Sequence, residues 1–313
     1  MTHNKNKSRA LIIGGGGFIG SHLVISLLSK GYNVRVLDHS SRKNNIHHAN
    51  LEWFIGDYGN KQFLEQSLKE VDIIYHLSST TQPHTSNLNP TFDIQSNLIN
   101  TITLLDQLRL MPKIPIIFIS SGGTVYGIPK QVPIPETHQT QPQCSYGIVK
   151  LAIEKYFAFY HLTFGINYRI IRLANPYGPG QLNLKQGVIG AFLLRILKNE
   201  QLEVWGDGTI VRDYVFISDT INAILLTAQY QGDERIFNIG SGCGRSILEI
   251  INTIENITGK KTNTIFSIKR EFDVSVSVLD ISLAEKELGW KPIISIDNGL
   301  RETLNWMKTL NLS

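Results

Sequence analysis

The sequence is poor in long hydrophobic runs and in cysteine. No apolar run in its 313 residues approaches the roughly 18–20 residues that a membrane-spanning helix needs, so no membrane segment is predicted. The N-terminal segment has only a short apolar stretch before its first glycines, which does not fit a signal peptide. The two cysteines, Cys144 and Cys243, have no CxxC neighbour. We predict two reduced thiols in a cytoplasmic protein.

Charge is also scarce, and it is nearly balanced. The chain has 30 Lys and Arg against 26 Asp and Glu, a formal net charge of +4, and only 18% charged residues. No basic stripe with interleaved aromatic residues occurs, so nucleic-acid binding is not expected. The nine histidines show neither an HExxH motif nor the Cys/His spacing of a zinc site, so no metal centre is predicted.

The first half of the chain contains a regular alternation of strand and helix patterns. This alternation predicts an α/β fold, a doubly wound parallel sheet of the Rossmann type with right-handed crossovers. The predicted strands are Ala10–Ile13, Asn33–Leu37, Leu51–Ile55, Asp72–Leu77, Ile114–Ile119 and Asn167–Leu173. The predicted helices are Phe18–Ser29, Lys61–Lys69, Pro90–Leu110 and Ser145–Leu162.

The pattern changes after Asn175. Glycines and short elements dominate from Pro176 to Gly208. We therefore predict a first domain at 1–175 and a smaller C-terminal α/β domain at 176–313, some of whose segments return to the sheet. Elements of this second part are predicted as helices near Asp219–Gln229, Ile247–Thr258 and Leu300–Leu310, and as a strand near Phe237.

A glycine-rich turn follows the first predicted strand. Residues 14–20 read GGGGFIG between a strand and a helix, which is the position of the dinucleotide-binding fingerprint. Two registers fit, Gly15-x-Gly17-x-x-Gly20 and Gly14-x-x-Gly17-x-x-Gly20. Glycines here allow a tight turn and a close approach of backbone N–H groups to a pyrophosphate.

Asp38 ends the second predicted strand, 18 residues after Gly20. A carboxylate at this place binds a ribose 2′-hydroxyl and disfavours a 2′-phosphate. The sequence therefore predicts NAD rather than NADP, although Arg42 nearby keeps NADP open. The alternative interpretation is a plain glycine-rich turn beside a solvated aspartate.

Tyr146 and Lys150 lie four residues apart on one face of a predicted helix. A lysine cation beside a tyrosine hydroxyl stabilises the phenolate and lowers the tyrosine pKa from about 10 toward neutrality. Such a tyrosine can act as a general base toward a sugar hydroxyl. The YxxxK pattern alone is typical of any amphipathic helix, so the prediction depends on its combination with the glycine-rich turn.

Taken in order, the motifs resemble the extended short-chain dehydrogenase/reductase family, in its group of nucleotide-sugar epimerases and dehydratases, and among these the UDP-hexose 4-epimerases. The resemblance extends from Leu11 to about Pro292. The segments that carry it are GGGGFIGSHL, IGDYGN, HLSS, SSGGTVYG, YGIVK, RLANPYGPGQ, WGDG, RDYVFISD and FNIGSG.

The resemblance implies a set of binding residues for NAD and for a nucleotide-sugar substrate. Asn175 would reach the sugar or its diphosphate, Arg212 and Arg270 would clamp the diphosphate, and Asp273 would meet a nucleoside hydroxyl. Ser277 would line the pocket beside the C2 substituent, where a small residue admits N-acetyl sugars. The residues expected to contact NAD are Gly14, Gly17, Phe18, Ile19, Gly20, Asp38, Asp57, Leu77, Asn97, Tyr146 and Lys150.

Two of these implied roles have an alternative. Arg212 and the adjacent Asp213 could form an ordinary surface ion pair. Ser277 could merely alternate with Val276 and Val278 on an exposed strand face.

One departure from the family concerns its second catalytic hydroxyl. The family has Ser or Thr where this chain has Gly122, so either Thr124 or Ser121 would have to supply the hydroxyl, and Thr124 is favoured. Tyr146 acting nearly alone is the third possibility. The dehydratases of the group carry an Asp-Glu pair at the positions of Gly123 and Thr124, so dehydration is disfavoured.

The activity implied is NAD-dependent 4-epimerisation of a nucleotide sugar, with UDP as the nucleotide by analogy. The alternatives are a 4-keto-sugar reductase that consumes NAD(P)H and a catalytically idle nucleotide-sugar sensor. The resemblance also implies a homodimer formed through the helices Pro90–Leu110 and Ser145–Leu162. The aromatic residues of the second helix are too many for one buried face.

Overall fold

The computed structural model describes residues 8–39, 46–181, 187–268 and 274–310. None of the described helices is both long and apolar enough to cross a lipid bilayer. Cys144 and Cys243 are not joined in a disulfide.

Strands and helices alternate through the first half of the chain, as the sequence predicts. In order they are β1 (Arg9–Ile13), α1 (Phe18–Ser29), β2 (Asn33–Asp38), β3 (Leu51–Ile55), α2 (Lys61–Ser67), β4 (Ile73–His76), α3 (Pro83–Ser86), α4 (Pro90–Asp93), a π-helix (Ile94–Ile99), α5 (Asn100–Leu108), β5 (Ile116–Ser121), α6 (Ser145–Phe164) and β6 (Tyr168–Leu173).

The second half contains shorter strands between its helices. They are β7 (Asn175–Tyr177), α7 (Val188–Leu197), β8 (Leu202–Trp205), β9 (Val211–Phe216), α8 (Ile217–Gln229), β10 (Ile236–Ile239), β11 (Gly244–Ser246), α9 (Ile247–Thr258), β12 (Thr264–Ser267), β13 (Val276–Ser277), α10 (Ser282–Leu288) and α11 (Ile296–Lys308).

A seven-stranded parallel sheet has the order β10-β6-β5-β4-β1-β2-β3, which confirms the predicted α/β class. Strand β1 lies between β2 and β4, in register Ile13 with Leu37 and Ile13 with His76. Its residues from Ala10 to Ile13 are fully buried. Burial on both faces explains why β1 has a continuous apolar run rather than an alternation of apolar and polar residues.

The segment predicted as one long helix at Pro90–Leu110 has a π-helical turn in its middle, at Ile94–Ile99. A π-turn adds one residue to the helical repeat, and such turns are frequent at functional sites. Here it carries Asn97, which is buried. Apolar spacing does not predict this turn, because the residues on either side keep a helical pattern.

The chain divides into two compact units. The first takes its described residues from Met1–Ser120, Ser145–Ile171 and Thr227–Arg235, and the second from Ser121–Cys144, Arg172–Leu226 and Ile236–Ser313. In the second unit β9 pairs with β7, β11 and β13, while β8 pairs with β12. The predicted division at residue 175 stays a prediction; it differs from these units in the placement of Ser121–Cys144, residues 172–175 and Thr227–Arg235.

Candidate active site

The glycine-rich turn joins β1 to α1. Gly14 has φ +88°, and a Cβ there would lie 2.8 Å from the backbone nitrogen of Ser78. A Cβ on Gly20 would lie within 2.3 Å of the Gly14 carbonyl oxygen. Gly14, rather than Gly15, therefore has the left-handed conformation that favours glycine. Both close approaches are backbone contacts that no side chain could relieve.

The start of α1 has the character of an anion site. Gly17 is its N-cap, and no side chain among the described residues caps this end. The first turn contains no acidic residue. N–H groups at such a helix end, with the positive end of the helix dipole, favour a pyrophosphate. Phe18 and Ile19, which open the helix, are half-buried.

Polar and backbone groups gather at the carboxyl edge of this sheet. Asp38 ends β2, and its Oδ2 accepts a hydrogen bond of 2.9 Å from the Gly16 N–H. Asp57 follows β3; its Oδ1 accepts 2.8 Å from the Gly59 N–H. Leu77 follows β4 and donates its N–H to the Ile13 carbonyl at 2.9 Å. In open α/β sheets this edge is where ligands bind. Arg42, which keeps NADP open, lies outside the described residues.

Asn97, on the π-turn, is held by the segment that follows β4. Its Oδ1 accepts from the Thr80 N–H at 3.0 Å, and its Nδ2 donates to Thr80 Oγ1 at 2.9 Å and to Asp93 Oδ1 at 2.9 Å. The amide is therefore fixed in orientation from both ends. This arrangement belongs to the same compact unit as the glycine-rich turn.

Tyr146 and Lys150 lie on the first turns of α6. Lys150 Nζ is 5.6 Å from the centroid of the Tyr146 ring and donates a 2.9 Å hydrogen bond to the Ile119 carbonyl. The lysine is 4% exposed. Burial lowers its pKa to about 8, an effect that the negative charges of Asp93 and Glu154 partly offset. A buried ammonium beside a phenol is the arrangement that stabilises a phenolate.

The start of α6 is capped from outside the helix. The N–H of Ser145 donates to Asn87 Oδ1 at 2.9 Å, and the N–H of Tyr146 donates to Ser86 Oγ at 3.0 Å. These bonds satisfy two of the N–H groups that a helix start leaves without intrahelical partners. They also fix the backbone of Tyr146.

Sequence reasoning missed two buried carboxylates whose charges act on Lys150. Glu154 Oε1 accepts a 2.5 Å hydrogen bond from Ser120 Oγ. It lies four residues after Lys150, a spacing that could have indicated it. Asp93 accepts from Ser145 Oγ at 2.8 Å, across 52 residues of sequence, and no local pattern signals that contact.

In the second unit the loop after β5 carries the candidate hydroxyls. A Cβ on Gly122 would lie 2.6 Å from Leu279 Cδ1 and 3.1 Å from the Arg172 carbonyl oxygen, so Leu279 occupies the space of a side chain at 122. Around Gly123 nothing lies within 4 Å of a Cβ. Thr124 Oγ1 is buried and has no hydrogen-bond partner among the described residues. A buried hydroxyl without a partner is costly, which is typical of a group kept for a ligand.

Of the predicted substrate residues, Asn175, Arg212 and Ser277 are described. Asn175 Nδ2 donates to the Asp213 carbonyl at 2.8 Å, and Arg212 Nη1 donates to the Val274 carbonyl at 2.6 Å. Ser277 pairs with Arg212 in register between β13 and β9. It is 5% exposed, unlike a residue on an open strand face. Arg270 and Asp273 lie outside the described residues.

Asp213 is 1% exposed, which does not fit a surface ion pair with Arg212. Burial raises the pKa of its carboxyl, and hydrogen bonds from Ser241, Leu279 and Gly242 partly offset this. Its oxygens accept from the N–H groups of Ser241 at 2.6 Å and Leu279 at 3.2 Å. Asp213 thus joins β9 to two other segments of this unit.

In the part of the chain that the structure describes, no group of three or more His, Cys, Asp or Glu side chains is placed to hold a metal ion. The polar groups of the first unit instead fit a dinucleotide: an uncapped helix start, a glycine cradle and a carboxylate at the end of β2. They are the groups that the pyrophosphate and a ribose need.

Comparison with known proteins places these features in context. The model of the NAD dependent epimerase/dehydratase family matches residues 10–240. A putative UDP-glucose 4-epimerase of Methanocaldococcus jannaschii is 36% identical over 305 residues, which cover 96% of this chain and 99% of that protein. The dTDP-4-dehydro-6-deoxyglucose reductase of Escherichia coli is 32% identical over 303 residues, 94% of this chain and 96% of the reductase.

A solved structure shows the same fold. The crystal structure of UDP-glucose 4-epimerase with UDP-glucose from Thermotoga maritima matches with a TM-score of 0.92 and 34% sequence identity. The match covers 96% of this chain and 99% of that one.

Proposed function

Because the chain belongs to the NAD-dependent epimerase/dehydratase family, we propose that it is a 4-epimerase of UDP-hexoses, which inverts the configuration at C4 of the sugar. The observation that carries the proposal is the first part of α6, where the buried Lys150 ammonium lies 5.6 Å from the ring centroid of Tyr146. Similarity to UDP-glucose 4-epimerases along nearly the whole chain supports C4 as the reacting carbon.

The cofactor of the family is NAD, and this chain has the residues to hold it. Gly14, Gly17 and Gly20 would admit the pyrophosphate to the start of α1, and Asp38 would bind the ribose hydroxyls. When bound, NAD supplies a hydride acceptor that later returns the hydride to the other face of the sugar carbon.

Tyr146 holds and moves the proton. Its phenolate accepts the proton of the C4 hydroxyl, and the phenol gives a proton back to the carbonyl oxygen once the sugar has turned over. The ammonium of Lys150 favours the phenolate, because an opposite charge stabilises the ionised form. Lys150 Nζ donates a hydrogen bond of 2.9 Å to the Ile119 carbonyl, which fixes the orientation of the ammonium.

Thr124 is our candidate for the second hydroxyl, which hydrogen-bonds the sugar O4. Its buried Oγ1 has no partner among the described residues, whereas Gly122 has no hydroxyl and its side-chain space is taken by Leu279. Ser121 is the alternative donor. A hydroxyl at the sugar O4 stabilises the negative charge that develops on this oxygen.

We assign the nucleotide sugar to residues of the second unit. Arg212 and Arg270 would bind the diphosphate, Asn175 the sugar or its diphosphate, and Asp273 a nucleoside hydroxyl. Ser277 is small and buried, which supports acceptance of an N-acetyl group at C2.

We also propose a homodimer. Tyr160 and Phe157 of α6 are buried in the monomer, while Tyr156 and Phe159 are exposed. Exposed apolar side chains continue along this helix and along the segment from α4 to α5, where a second copy would cover them. They are Ile148 and Leu162 on the first and Phe92, Ile94 and Ile99 on the second.

The two separate cysteine thiols support a reducing compartment such as the cytoplasm.

The test is incubation of the purified protein with UDP-glucose, UDP-GlcNAc and UDP-glucuronate, each alone and without added reductant. We expect NAD to copurify and the C4 epimer of one sugar to form, as resolved by NMR. Tyr146→Phe should lose two to four orders of magnitude in turnover and keep NAD, the usual scale for one acid–base group. Tyr156→Phe, on the same helix, is the matched control and should be active.

The same assay separates the other two functions. The similarity to the Escherichia coli reductase makes a 4-keto-sugar reductase the second candidate. Such an enzyme would act only with added NAD(P)H and a 4-keto sugar. An idle sensor would bind a UDP-sugar and turn over none. Either result would replace the epimerase proposal.

A further inference from the structure

Asp93 is fully buried at the junction between α4 and the π-turn. Its carboxylate accepts three hydrogen bonds: Oδ1 from Thr81 Oγ1 at 2.6 Å and from Asn97 Nδ2 at 2.9 Å, and Oδ2 from Ser145 Oγ at 2.8 Å. These bonds satisfy a carboxylate whose burial without hydrogen-bond partners would be costly.

The three donors belong to different elements. Thr81 follows β4, Asn97 lies on the π-turn, and Ser145 is the first residue of α6. Asp93 therefore places a negative charge at the start of the helix that carries Tyr146, where the helix dipole favours an anion. It is bonded both to the proposed cofactor residue Asn97 and to the residue before Tyr146.

The charge of Asp93 also acts on Lys150. The groups that face this lysine are Tyr146 and Glu154 on its own helix, Asp93, and His76 on β4. Burial lowers the pKa of Lys150 to about 8, and the charge of Asp93 is the first of two that oppose this effect. His76 is neutral near pH 7, because burial and the lysine charge lower its pKa to about 3.

We propose that Asp93 is a positioning residue of the reaction, which fixes Asn97 and the start of α6 in one arrangement and supplies negative charge to Lys150. The inference rests on the proposed roles of Tyr146 and Lys150. Packing alone would not require it, since an apolar residue of similar volume would fill the site without burying a carboxylate.

The charge is tested by NMR titration of protein labelled with ¹³C at the lysine ε-carbons. One resonance, absent from Lys150→Met, should titrate near pH 8. In Asp93→Asn, which keeps the shape and removes the charge, it should titrate about one pH unit lower, because loss of a negative charge disfavours the ammonium. Asp106→Asn is the matched control, since Asp106 accepts a hydrogen bond from Tyr160 of the same helix at 2.9 Å.

The bonds are tested by the dissociation constant of NAD. Ser145→Ala keeps the charge and removes one hydrogen bond; we expect NAD to bind roughly three- to tenfold more weakly while Lys150 still titrates as in the wild type. This variant decides the question if Asp93→Asn folds poorly. An unchanged Lys150 titration in Asp93→Asn, or an unchanged NAD affinity in Ser145→Ala, would overturn the inference. Neither measurement uses a sugar, so failure of the epimerase proposal would be seen separately.

Discussion

The side chain of Leu279 occupies the space beside Gly122: a Cβ on Gly122 would lie 2.6 Å from Leu279 Cδ1. The neighbouring Gly123 has open space around it. A hydroxyl side chain at position 122, as the family resemblance implies, would therefore require Leu279 to move. Our proposed function therefore needs another hydroxyl in this loop, and Thr124, whose buried Oγ1 has no partner among the described residues, is our candidate.

The first prediction compares two serine substitutions in this loop. Gly122→Ser should lower the free energy of unfolding by about 1–3 kcal/mol, because it overfills the space that Leu279 occupies. Gly123→Ser, the matched control, should change it by less than about 0.5 kcal/mol. Urea unfolding measures both. Adding Leu279→Ala to Gly122→Ser should relieve the overlap, and equal losses in the two single variants would contradict the account.

The second prediction ranks the candidate hydroxyls. Thr124→Val keeps the shape and removes the donor, and it should lower kcat by roughly ten- to hundredfold. Ser121→Ala should have a much smaller effect. Steady-state kinetics on the accepted UDP-sugar measure the ratio. The reverse ranking would assign the hydroxyl to Ser121, and two mild effects would mean that Tyr146 works without a hydroxyl partner.

The third prediction concerns sugar selection at Ser277. A tyrosine there should crowd an N-acetyl group at C2, so Ser277→Tyr should lower kcat/KM for UDP-GlcNAc by roughly ten- to hundredfold and spare UDP-glucose. The two substrates are measured side by side on wild type and variant. Equal losses on both sugars would show that Ser277 does not select between them.

The fourth prediction tests the dimer. Phe159 is 51% exposed on α6, and Phe159→Glu should shift the protein from dimer to monomer in light scattering at micromolar concentration. Ile25→Glu places the same charge on an apolar residue of α1 that is 54% exposed. It should stay dimeric. A wild-type monomer would sink the proposal.

The fifth prediction is an acid sensitivity that depends on His76. Its pKa is about 3 in the folded chain, lowered by burial and by the charge of Lys150, against about 6.5 when unfolded. Between about pH 6.5 and pH 3 the imidazole of His76 is therefore protonated in the unfolded chain and neutral in the folded chain. The free energy of unfolding is unaffected by His76 above about pH 6.5, and it falls by about 1.4 kcal/mol per pH unit as the pH decreases toward 3.

Urea unfolding at pH 7, 6 and 5 measures that slope. His76→Gln removes the titrating group, so the slope of the unfolding free energy against pH should decrease by the equivalent of about one bound proton. His84→Gln, at an exposed position, should keep it. A wild-type slope no steeper than that of His76→Gln would show that His76 is not the group responsible.

Much of the fold could be predicted because the signals are local. The apolar runs of β1 and β5 and the glycines at 14–20 are signals that lie within a few residues, and the family match confirms the resemblance drawn from the motifs. The predicted strand Leu51–Ile55 and helix Ile247–Thr258 agree with the structure at both ends. The latter has a capping box, Ser246 with Glu249, and a left-handed Gly259 at its end.

What could not be predicted depends on contacts between distant residues. Asp93 meets Ser145 across 52 positions, and Leu279 meets Gly122 across a longer stretch, so neither partner shows in a window of sequence. The sequence shows that position 122 has no side chain, but it does not show that Leu279 occupies the space. The site roles of Thr124 and Ser277 stay predictions until the variants are measured.

The π-turn at Ile94–Ile99 has a consequence for the design of variants. Its wider turn takes up one residue more than an α-helical turn, so the helix on either side keeps its phase. Deleting a single residue there would restore a regular helix and keep the buried Leu104 and Leu105 in phase, but it would move Asn97 away from Thr80 and Asp93. A one-residue deletion, normally tolerated at a surface loop, should abolish function here. Substitutions that leave the length unchanged are the appropriate probes of this segment.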